Sequence, residues 1–584
     1  MTITNRWAAL IAIVVAAIGS VALGQGDLVQ VQQDFAADPG WEGVNNRVEC
    51  SDCPTITQDF GWSPGNRSGE GRGEIGGTVW QSRTPAYYAM PMGRSLNFKD
   101  AFSASGRIAV MPGGKSGSTH GAASGGSAYI GFFNAARQEW RPWSSLALRI
   151  SPEGDNVTLG VDYMTARWNA GGCETDVLLP KDGKPHTWRL TYDPNATPRE
   201  WTEPRLKGYL ASSRRQTAEQ IFEKAKAAEP GVTLKQIEAR LSHALAGGSI
   251  ETFRRPGGNP YRPGGIFFTL SDTSQDLKGV VTLQVDGGQL YKLWLPAEHR
   301  DAPVALDRFG LFNFQVYSGS TELYVSDLAV NGQKIDLASD PKWEGKGNRV
   351  TFVEREFQRQ DFGYSQTHWA GDRIGEIGGL FSRTEPIDPL HGYYADDIGK
   401  LTLEDPFSFS GNIAFVNGGT DAGMFFGYFS SREKMKEIAD EHGAPLNDSL
   451  GIDIDGPTRI GYYFTALCSP KRTVASAKEG PVFLPTGERR SFRVSYDPRA
   501  NDGVGQMTVT LDEKTFTLDL KPEQRAAGAT FDRFGIMNKR VGGKYVTLYF
   551  DDISYTARRP RGHPPVRHEQ KTVTVPYPKG GRKY

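Results

Sequence analysis

The sequence has no surplus of charge of either sign. Its 584 residues include 67 Lys or Arg and 67 Asp or Glu, so the formal net charge is zero. Because nucleic-acid affinity depends on neutralising many phosphates with surplus basic side chains, this balance excludes a bulk-charge binder of nucleic acid. Gly and Pro are abundant, at 69 and 35 residues, but stay below the level of low-complexity chains. The composition is typical of a turn-rich β protein.

Long apolar runs are absent after the first 24 residues. Arg6 precedes an apolar run from Trp7 to Ile18, and Ala22-Leu23-Gly24 has the small-residue pattern of a cleavage site. We interpret residues 1–24 as a secretory signal peptide, with an uncleaved membrane anchor as the alternative. The mature chain is therefore predicted to have no membrane span and to be secreted, periplasmic or held at the cell surface.

Cysteine is scarce, although export would permit disulfides. The four cysteines are Cys50, Cys53, Cys173 and Cys468. Cys50 and Cys53 form a C-x-x-C pair, but the second C-x-x-C or H-x-x-x-H of a zinc site is missing, and no βαβ pattern surrounds the pair. We predict a local structural disulfide, with a redox pair or half a zinc site as alternatives. Cys173 and Cys468 are interpreted as free thiols or as partners of each other.

A long internal repeat organises the chain. The strings around Trp41, Gln58 and Gly73 return 302 positions later, as WEGVNNR and WEGKGNR, QDFGWS and QDFGYS, and GEIGG in both. After residue 194 the spacing falls, because Asp307-Arg-Phe-Gly matches Asp532-Arg-Phe-Gly at an offset of 225. The unit is too long for a solenoid repeat, so the sequence predicts a duplicated domain, with copies at residues 26–333 and 334–557.

Each copy has the period-two pattern of half-buried strands. Val281–Val285 and Met507–Leu511 alternate apolar and polar residues, and turns such as Asp286-Gly287 separate the strands. Many short strands with Gly-rich turns predict an all-β protein of two tandem antiparallel β-sandwiches of jelly-roll type.

The extra residues of the first copy have a different pattern. Residues 217–228 and 233–246 are rich in Ala, Glu, Lys and Leu at helical spacing, which predicts a helix pair within an insertion at about 199–277. A shorter helix is predicted at 432–441. The tail at 558–584 is basic and Pro-rich, so we expect it to be disordered and to contact an anionic cell surface.

The order of these signals resembles the concanavalin A-like lectin and glucanase superfamily, which includes laminin-G-like modules. Residues 34–41 and 336–343 look like its first strand, and 548–553 and 323–328 look like its last strand. The resemblance covers nearly all of the mature chain but includes no diagnostic catalytic motif. It implies a sandwich fold that serves lectins, glycosidases, lyases and adhesion modules alike.

The resemblance also implies a test for catalysis and a metal site. Laminarinase-type members place E-x-D-x-E along a strand, whereas Gly76 and Gly378 stand where the central acid would be, which argues against that enzyme family. Related sandwiches hold a structural calcium near the closing strand, so Asp327 and Asp552 are candidate Ca²⁺ ligands. A structural Ca²⁺ is the one cofactor that these patterns suggest.

The candidate site residues recur in both copies. Glu74 and Glu376 are the catalytic candidates, because each is an acid beside a glycine pair that would let another group approach. Exposed acids at the start of a strand are the alternative interpretation. The ligand-binding candidates are aromatic, basic and amide side chains that would suit a sugar: Trp80, Arg83, Tyr87, Tyr88, Asn313, Arg383, Tyr393, Tyr394 and Asn538.

Three functions are compatible with these patterns. The first is an exported protein that binds a polysaccharide or glycan through both sandwiches, with avidity from two weak sites. The second is a glycoside hydrolase or polysaccharide lyase that uses Glu74 or Glu376 as acid or base. The third is a structural or adhesion protein of the cell envelope, docked through its basic tail.

Overall fold

The structure is a computed structural model. It describes residues 27–114, 126–137, 143–167, 170–196, 216–217, 250–254, 266–270, 277–288, 290–315, 319–353, 360–382, 392–419, 422–432, 448–458, 461–471, 473–476, 480–538, 545–559 and 567–575. The predicted signal peptide, nearly all of the predicted helix pair and, apart from Arg432, the helix predicted at 432–441 lie outside the described residues.

Almost every regular element is a strand. The first strands are β1 (Asp27–Gln33), β2 (Glu42–Val44), β3 (Arg47–Cys50), β4 (Thr55–Ser63), β5 (Glu74–Trp80), β6 (Tyr87–Leu96), β7 (Phe102–Val110), β8 (Ala128–Phe133), β9 (Ser145–Glu153), β10 (Asn156–Met164), β11 (Ala170–Pro180) and β12 (Pro185–Asp193). They are followed by β13 (Gln216–Thr217), β14 (Ile250–Arg254), β15 (Ile266–Leu270), β16 (Leu277–Val285), β17 (Leu290–Pro296), helix α1 (Ala297–Asp301), β18 (Leu306–Asn313), β19 (Ser320–Val330), β20 (Gln333–Lys334), β21 (Glu344–Lys346) and β22 (Arg349–Val353).

The second half repeats this succession of strands. It contains β23 (Gln360–Ser365), β24 (Glu376–Ser382), β25 (Tyr393–Thr402), β26 (Phe407–Gly418), β27 (Ala422–Phe429), β28 (Ser449–Thr458), β29 (Gly461–Ser469), β30 (Ala475–Ser476), β31 (Val482–Phe483), β32 (Arg489–Asp497), β33 (Gln506–Leu511), β34 (Lys514–Asp519), helix α2 (Pro522–Ala527), β35 (Thr530–Asn538), β36 (Tyr545–Arg559) and β37 (Thr572–Val575).

Four large sheets form two sandwiches, which confirms the predicted all-β sandwich architecture. The first sandwich packs a sheet of order β17-β16-β12-β7-β19-β5-β4-β22 on one of order β11-β10-β9-β8-β18-β6-β21. The second packs β34-β33-β32-β26-β36-β24-β23-β3-β37 on β2-β25-β35-β27-β28-β29-β30. A small sheet of β13, β15 and β14 lies in the inserted region, where Thr217 is part of a strand.

Strand alternation builds each core as the sequence predicts. In β33, Met507, Val509 and Leu511 are buried, whereas Thr508 and Thr510 are only partly buried. Side chains of successive strand residues point to opposite faces, so one face of the strand joins the core and the other stays nearer water.

The strand pairing crosses the predicted domain boundary at residues 333 and 334. Strand β1 pairs with β36 from Asp27↔Arg559 to Gln33↔Ile553, and β2 and β3 pair with β25 and β23, all in the second sandwich. Strands β21 and β22 pair with β6 and β4, in the first. The prediction that each repeat closes its own sandwich is therefore wrong for these segments.

We name residues 27–50 the N-terminal opening segment and residues 336–353 the middle opening segment. The first sandwich uses the chain from β4 to β22, so the middle opening segment closes it. The second sandwich begins at β23 and is closed by the N-terminal opening segment, which is the remaining copy of that sequence. Each repeat thus supplies the opening strands of the other repeat's sandwich.

The C-terminal tail also joins the second sandwich. Strand β37 pairs in parallel with β3, from Arg47↔Thr572 to Cys50↔Val575. The expectation of a disordered tail is therefore wrong for Thr572–Val575, where alternating Thr and Val favour a strand. The last residue of β3, Cys50, forms a disulfide with Cys53, which confirms the predicted local pairing. Cys468 is buried and free, and the side chain of Cys173 lies outside the described residues.

Candidate functional site

Glu74 is a buried loop anchor at the start of β5. Its Oε2 accepts hydrogen bonds from the Ser68 amide at 3.0 Å and the Ser68 hydroxyl at 3.1 Å, and its Oε1 accepts one from Arg67 at 3.0 Å. The side chain is fully inaccessible, so its charge requires such partners. These bonds fix the loop at residues 64–73 against the sandwich. The alternative of an exposed acid is thus wrong, and the carboxylate faces its own loop.

Glu376 has the same position in the second sandwich. Its Oε1 accepts hydrogen bonds from the Thr367 hydroxyl and, at 2.9 Å, the Trp369 amide, and its Oε2 accepts one from the Ala370 amide at 2.7 Å. It is also fully buried. We name residues 366–375, which these bonds hold, the rim loop. Both catalytic candidates thus point into their own loops in the same way.

Replacement of Glu376 by glutamine tests this anchoring role. The glutamine amide presents N–H donors to the backbone N–H groups of the rim loop, so at least one donor is left without an acceptor. We expect a loss of about 1–3 kcal/mol in the free energy of unfolding. Urea titration of Glu376→Gln beside the exposed Glu513→Gln measures it. Equal midpoints for these two variants would contradict the anchoring role.

The two anchor sites differ in charge. Arg67 pairs with Glu74, and its guanidinium lies 4.4 Å above the ring of Tyr324. At the equivalent positions the second copy has Trp369 in place of Arg67 and Asp551 in place of Ser326. The second site therefore has a second buried acid, Asp551, at the position of a serine, and a tryptophan at the position of the basic partner of the first site.

Asp551 is the most strongly perturbed acid of this region. Burial raises its pKa to about 7, against the opposing hydrogen bond from the Asp552 amide at 2.7 Å, and the charges of Asp552 and Glu376 raise it further. A Cβ added at position 371 would lie only 1.6 Å from Oδ2 of Asp551. Glycine fits at this position because it has no Cβ. The carboxyl group is thus enclosed by the rim loop.

The four candidate tyrosines contact the opening segments. Tyr88 donates its hydroxyl to Asp340 at 3.0 Å, and Tyr394 donates to the equivalent Asp38 at 2.8 Å. Burial, followed by the hydrogen bond to Asp340, raises the pKa of Tyr88 to about 12. These two rings lie in the cores of the first and second sandwich.

Their neighbours make the matching contacts on the opposite face of each strand. Tyr87 donates to Glu344, and Tyr393 donates to the equivalent Glu42 at 3.1 Å. Glu344 also accepts from Arg308 at 2.9 Å, as Glu42 does from Arg533 at 2.8 Å. We name each set of two tyrosines, two acids and one arginine a tyrosine latch. The structure brings these rings to the opening segments and leaves them at most 8% exposed, so they form no surface platform.

The asparagine candidates are buried bridges between strands and loops. Asn313 accepts from the Ala86 amide at 2.9 Å and donates to the Ser82 and Thr84 carbonyls. Asn538 accepts from the Gly392 amide at 3.0 Å and donates to the Ser382 carbonyl. Their amides satisfy backbone groups that are shielded from water, and they face no ligand surface.

Trp80 and Arg83 lie in different surroundings. Trp80 is buried beside Ile56. Arg83 reaches across to the second sandwich, where its guanidinium lies 4.2 Å from the ring of Tyr545 and donates to the Thr547 hydroxyl at 3.3 Å. Arg83 therefore joins the two sandwiches. Arg383 lies outside the described residues.

The two calcium candidates occupy a bulge in the closing strands. Asp327 and Asp552 have φ values of 50° and 52°, a region that Asp tolerates better than most residues, and the register shifts beside both. Arg107 lies 3.8 Å from Asp327, and Asn412 donates to Asp552 at 3.0 Å. Among the described residues no group of three or more acidic, His or Cys side chains is arranged to hold a metal ion.

The rim loop exposes apolar side chains that sequence reasoning missed. Trp369 is 46% exposed and Ile374 is 64% exposed, whereas the equivalent positions of the first copy are Arg67 and Arg72. These differences between otherwise matching repeats are the sequence signal for the exposed apolar side chains. A comparison that considers only the residues shared by the two repeats does not reveal them.

The chain was also compared with known proteins. No family model and no curated protein matches it. Solved structures similar to it include mouse laminin alpha1 chain domains LG4-5, at 10% identity over 90% of this chain and 100% of that chain, with a TM-score of 0.22. The Emp47p carbohydrate recognition domain matches at 15% identity over 33% of this chain and 88% of its own, with a TM-score of 0.23.

Peanut lectin, solved with a nine-residue peptide, matches at 15% identity over 34% of this chain and 90% of its own, with a TM-score of 0.22. These neighbours are laminin G and lectin domains. At these TM-scores the likeness carries no argument, and the sandwich architecture rests on the strand pairing.

Proposed function

We propose that this chain is an exported, non-catalytic carbohydrate-binding protein whose glycan contact is the rim loop of the second sandwich. The observation that carries the proposal is the exposed ring of Trp369. An aromatic face covers the apolar face of a sugar ring, while neighbouring polar groups bind its hydroxyls.

The position of Trp369 supports this role. A Cβ added at position 487 would lie 3.3 Å from the ring of Trp369. Position 487 is a glycine with a φ of 70°, so the ring packs against its backbone. The Trp369 amide is held from below by Glu376. The backbone of Trp369 is therefore held in place and one edge of its ring packs against Gly487, which lowers the entropy lost on binding.

Charged side chains flank the ring. Asp372 and Arg489 form an ion pair at 2.6 Å, and Arg373 and Asp34 form another at 3.2 Å. Three of these four side chains are more than half exposed, so they remain available to sugar hydroxyls. An exposed ring among such donors and acceptors favours a polar, ring-shaped ligand.

The arrangement of the acids favours binding over catalysis. Both carboxylate oxygens of Glu74 and of Glu376 accept hydrogen bonds from their own loops. A general acid or base must reach the substrate proton, so either residue would first have to leave its loop. This favours the carbohydrate-binding hypothesis over the hydrolase and lyase hypotheses.

Export rests on two observations. The apolar run and small residues before position 25 have the pattern of a signal peptide. The disulfide between Cys50 and Cys53 fits an oxidising compartment. We therefore propose that the protein is secreted, periplasmic or at the cell surface. Separately, no helix among the described residues has the length and hydropathy needed to cross a membrane.

Replacement of Trp369 by alanine tests the proposed contact. A glycan array with the unmodified protein selects an oligosaccharide, and calorimetry measures its affinity for each variant. We expect at least tenfold weaker binding by Trp369→Ala, about 1.4 kcal/mol, because the stacking face is lost. Leu290→Ala is the matched control, since Leu290 is equally exposed at 46% on the first sandwich. Unchanged affinity in Trp369→Ala, or an array with no bound glycan, would contradict the proposal.

A further inference from the structure

The N-terminal opening segment is a separable part of the second sandwich. Strand β1 contributes seven residues in register with the closing strand β36. Trp41 enters the core, with its ring 5.6 Å from those of Phe35 and Tyr394 and 6.0 Å from that of Tyr555. The second sandwich is incomplete until this segment arrives.

The groove of each sandwich that an opening segment fills, here called its slot, binds that segment through equivalent contacts. Asn46 donates its side-chain amide to the Phe362 carbonyl, and the Phe362 amide donates to the Asn46 carbonyl at 3.0 Å. Asn348 makes both bonds with Phe60, at 2.6 and 3.0 Å. Together with the two tyrosine latches, these contacts make each slot a receptor for the same short sequence.

One short connection holds the N-terminal opening segment to the first sandwich. Strand β3 ends at Cys50 and β4 begins at Thr55, so residues 51–54 form the whole link, and the disulfide from Cys50 to Cys53 lies across it. The segment therefore reaches its slot from a single hinge.

We propose that two copies of this chain form a strand-exchanged dimer, in which the N-terminal opening segment of each copy closes the second sandwich of the other. The partner is a second copy because its segment carries the Trp, the two acids and the Asn that the slot binds. The strand pairing and the tyrosine latch are the same in the exchanged dimer and in the unexchanged monomer. The two forms therefore differ mainly in the conformation of the hinge and in the contacts between the sandwiches. A short link gives the segment an effective concentration of about 1 mM at the slot of its own chain. We therefore expect the exchanged dimer when the protein concentration approaches that value, or when chains refold together.

The exchange is tested with cysteines placed on separate chains. Gln32 and Ser554 are register partners on β1 and β36. One preparation carries Gln32→Cys and the other Ser554→Cys, so neither chain is able to join these positions by itself. The full-length chains are unfolded and refolded together, then oxidised. We expect a mixed disulfide dimer, identified by mass spectrometry of the peptide pair containing residues 32 and 554.

The control pairs Ser554→Cys with Lys292→Cys, an exposed position on β17 of the first sandwich. A yield of mixed dimer that does not exceed this control would overturn the proposal. A second measurement needs no substitution: sedimentation of the unmodified chain refolded at high concentration is expected to show a dimer that survives dilution. A monomer at every concentration would equally overturn it.

Discussion

Replacing Trp41 with alanine is expected to destabilise the second sandwich by about 3–5 kcal/mol, although Trp41 precedes the first sandwich in the sequence. The side chain is 2% exposed, and its ring also lies 6.4 Å from that of Phe534. Its loss removes apolar contacts and leaves a cavity between β25, β35 and β36. Hydrogen exchange should show reduced protection in Tyr393–Thr402 and unchanged protection in Tyr87–Leu96.

The matched variant is Trp343→Ala. Trp343 stacks on Tyr88 with ring centroids 5.7 Å apart and is only partly buried, so a smaller loss is expected, confined to the first sandwich. If Trp41→Ala reduced protection in the first sandwich instead, the crossed strand pairing would be contradicted.

Replacing Asp551 with asparagine is expected to stabilise the protein at pH 8 and to remove a pH dependence. The folded protein raises the pKa of Asp551 to about 7 from an ordinary value of 3.8. Its protonated form therefore contributes stability that is fully present below about pH 4 and is lost as the pH rises through about 7. Over that range the unmodified chain should lose about 2–4 kcal/mol that Asp551→Asn keeps.

Denaturant titrations from pH 4 to 8 measure this difference. Glu513→Gln is the control, because Glu513 is an exposed acid in the turn between β33 and β34, away from Asp551. Parallel pH profiles for Asp551→Asn and the unmodified chain would show that Asp551 is not the responsible group.

The alternation of residues made much of the fold predictable. In β6, Tyr88 points into the core and Tyr87 lies on the other face beside Phe133, as adjacent strand residues must. The repeat also predicted matching surroundings for Trp41 and Trp343, each of which packs on a tyrosine of a latch.

The crossing of the opening segments was not predictable from the same residues. Asp38 and Glu42 fit the latch of either copy, because Asp340 and Glu344 are the same residue types at the same spacing. Local sequence therefore specifies that an opening segment binds the two tyrosines of a latch, but not the tyrosines of which sandwich. The choice follows from the course of the chain, because the first sandwich is built from the continuous stretch from β4 to β22.

The role of the paired glutamates was hidden for a related reason. Glu74 beside its glycine pair has the local pattern of an accessible acid, and its burial depends on how Arg67 and Ser68 fold back onto it. The way the loop folds back onto Glu74 depends on tertiary packing. The periodic pattern of apolar and polar residues does not predict it.

The central claim is that the N-terminal opening segment closes the second sandwich, and a double-cysteine variant of one chain tests it most directly. Gln32→Cys with Ser554→Cys in dilute solution is expected to give an intramolecular link on oxidation or with a short thiol crosslinker. Gln32→Cys with Ala329→Cys, the equivalent position on the first closing strand, is expected to stay unlinked. A link between residues 32 and 329, with none between 32 and 554, would contradict the account.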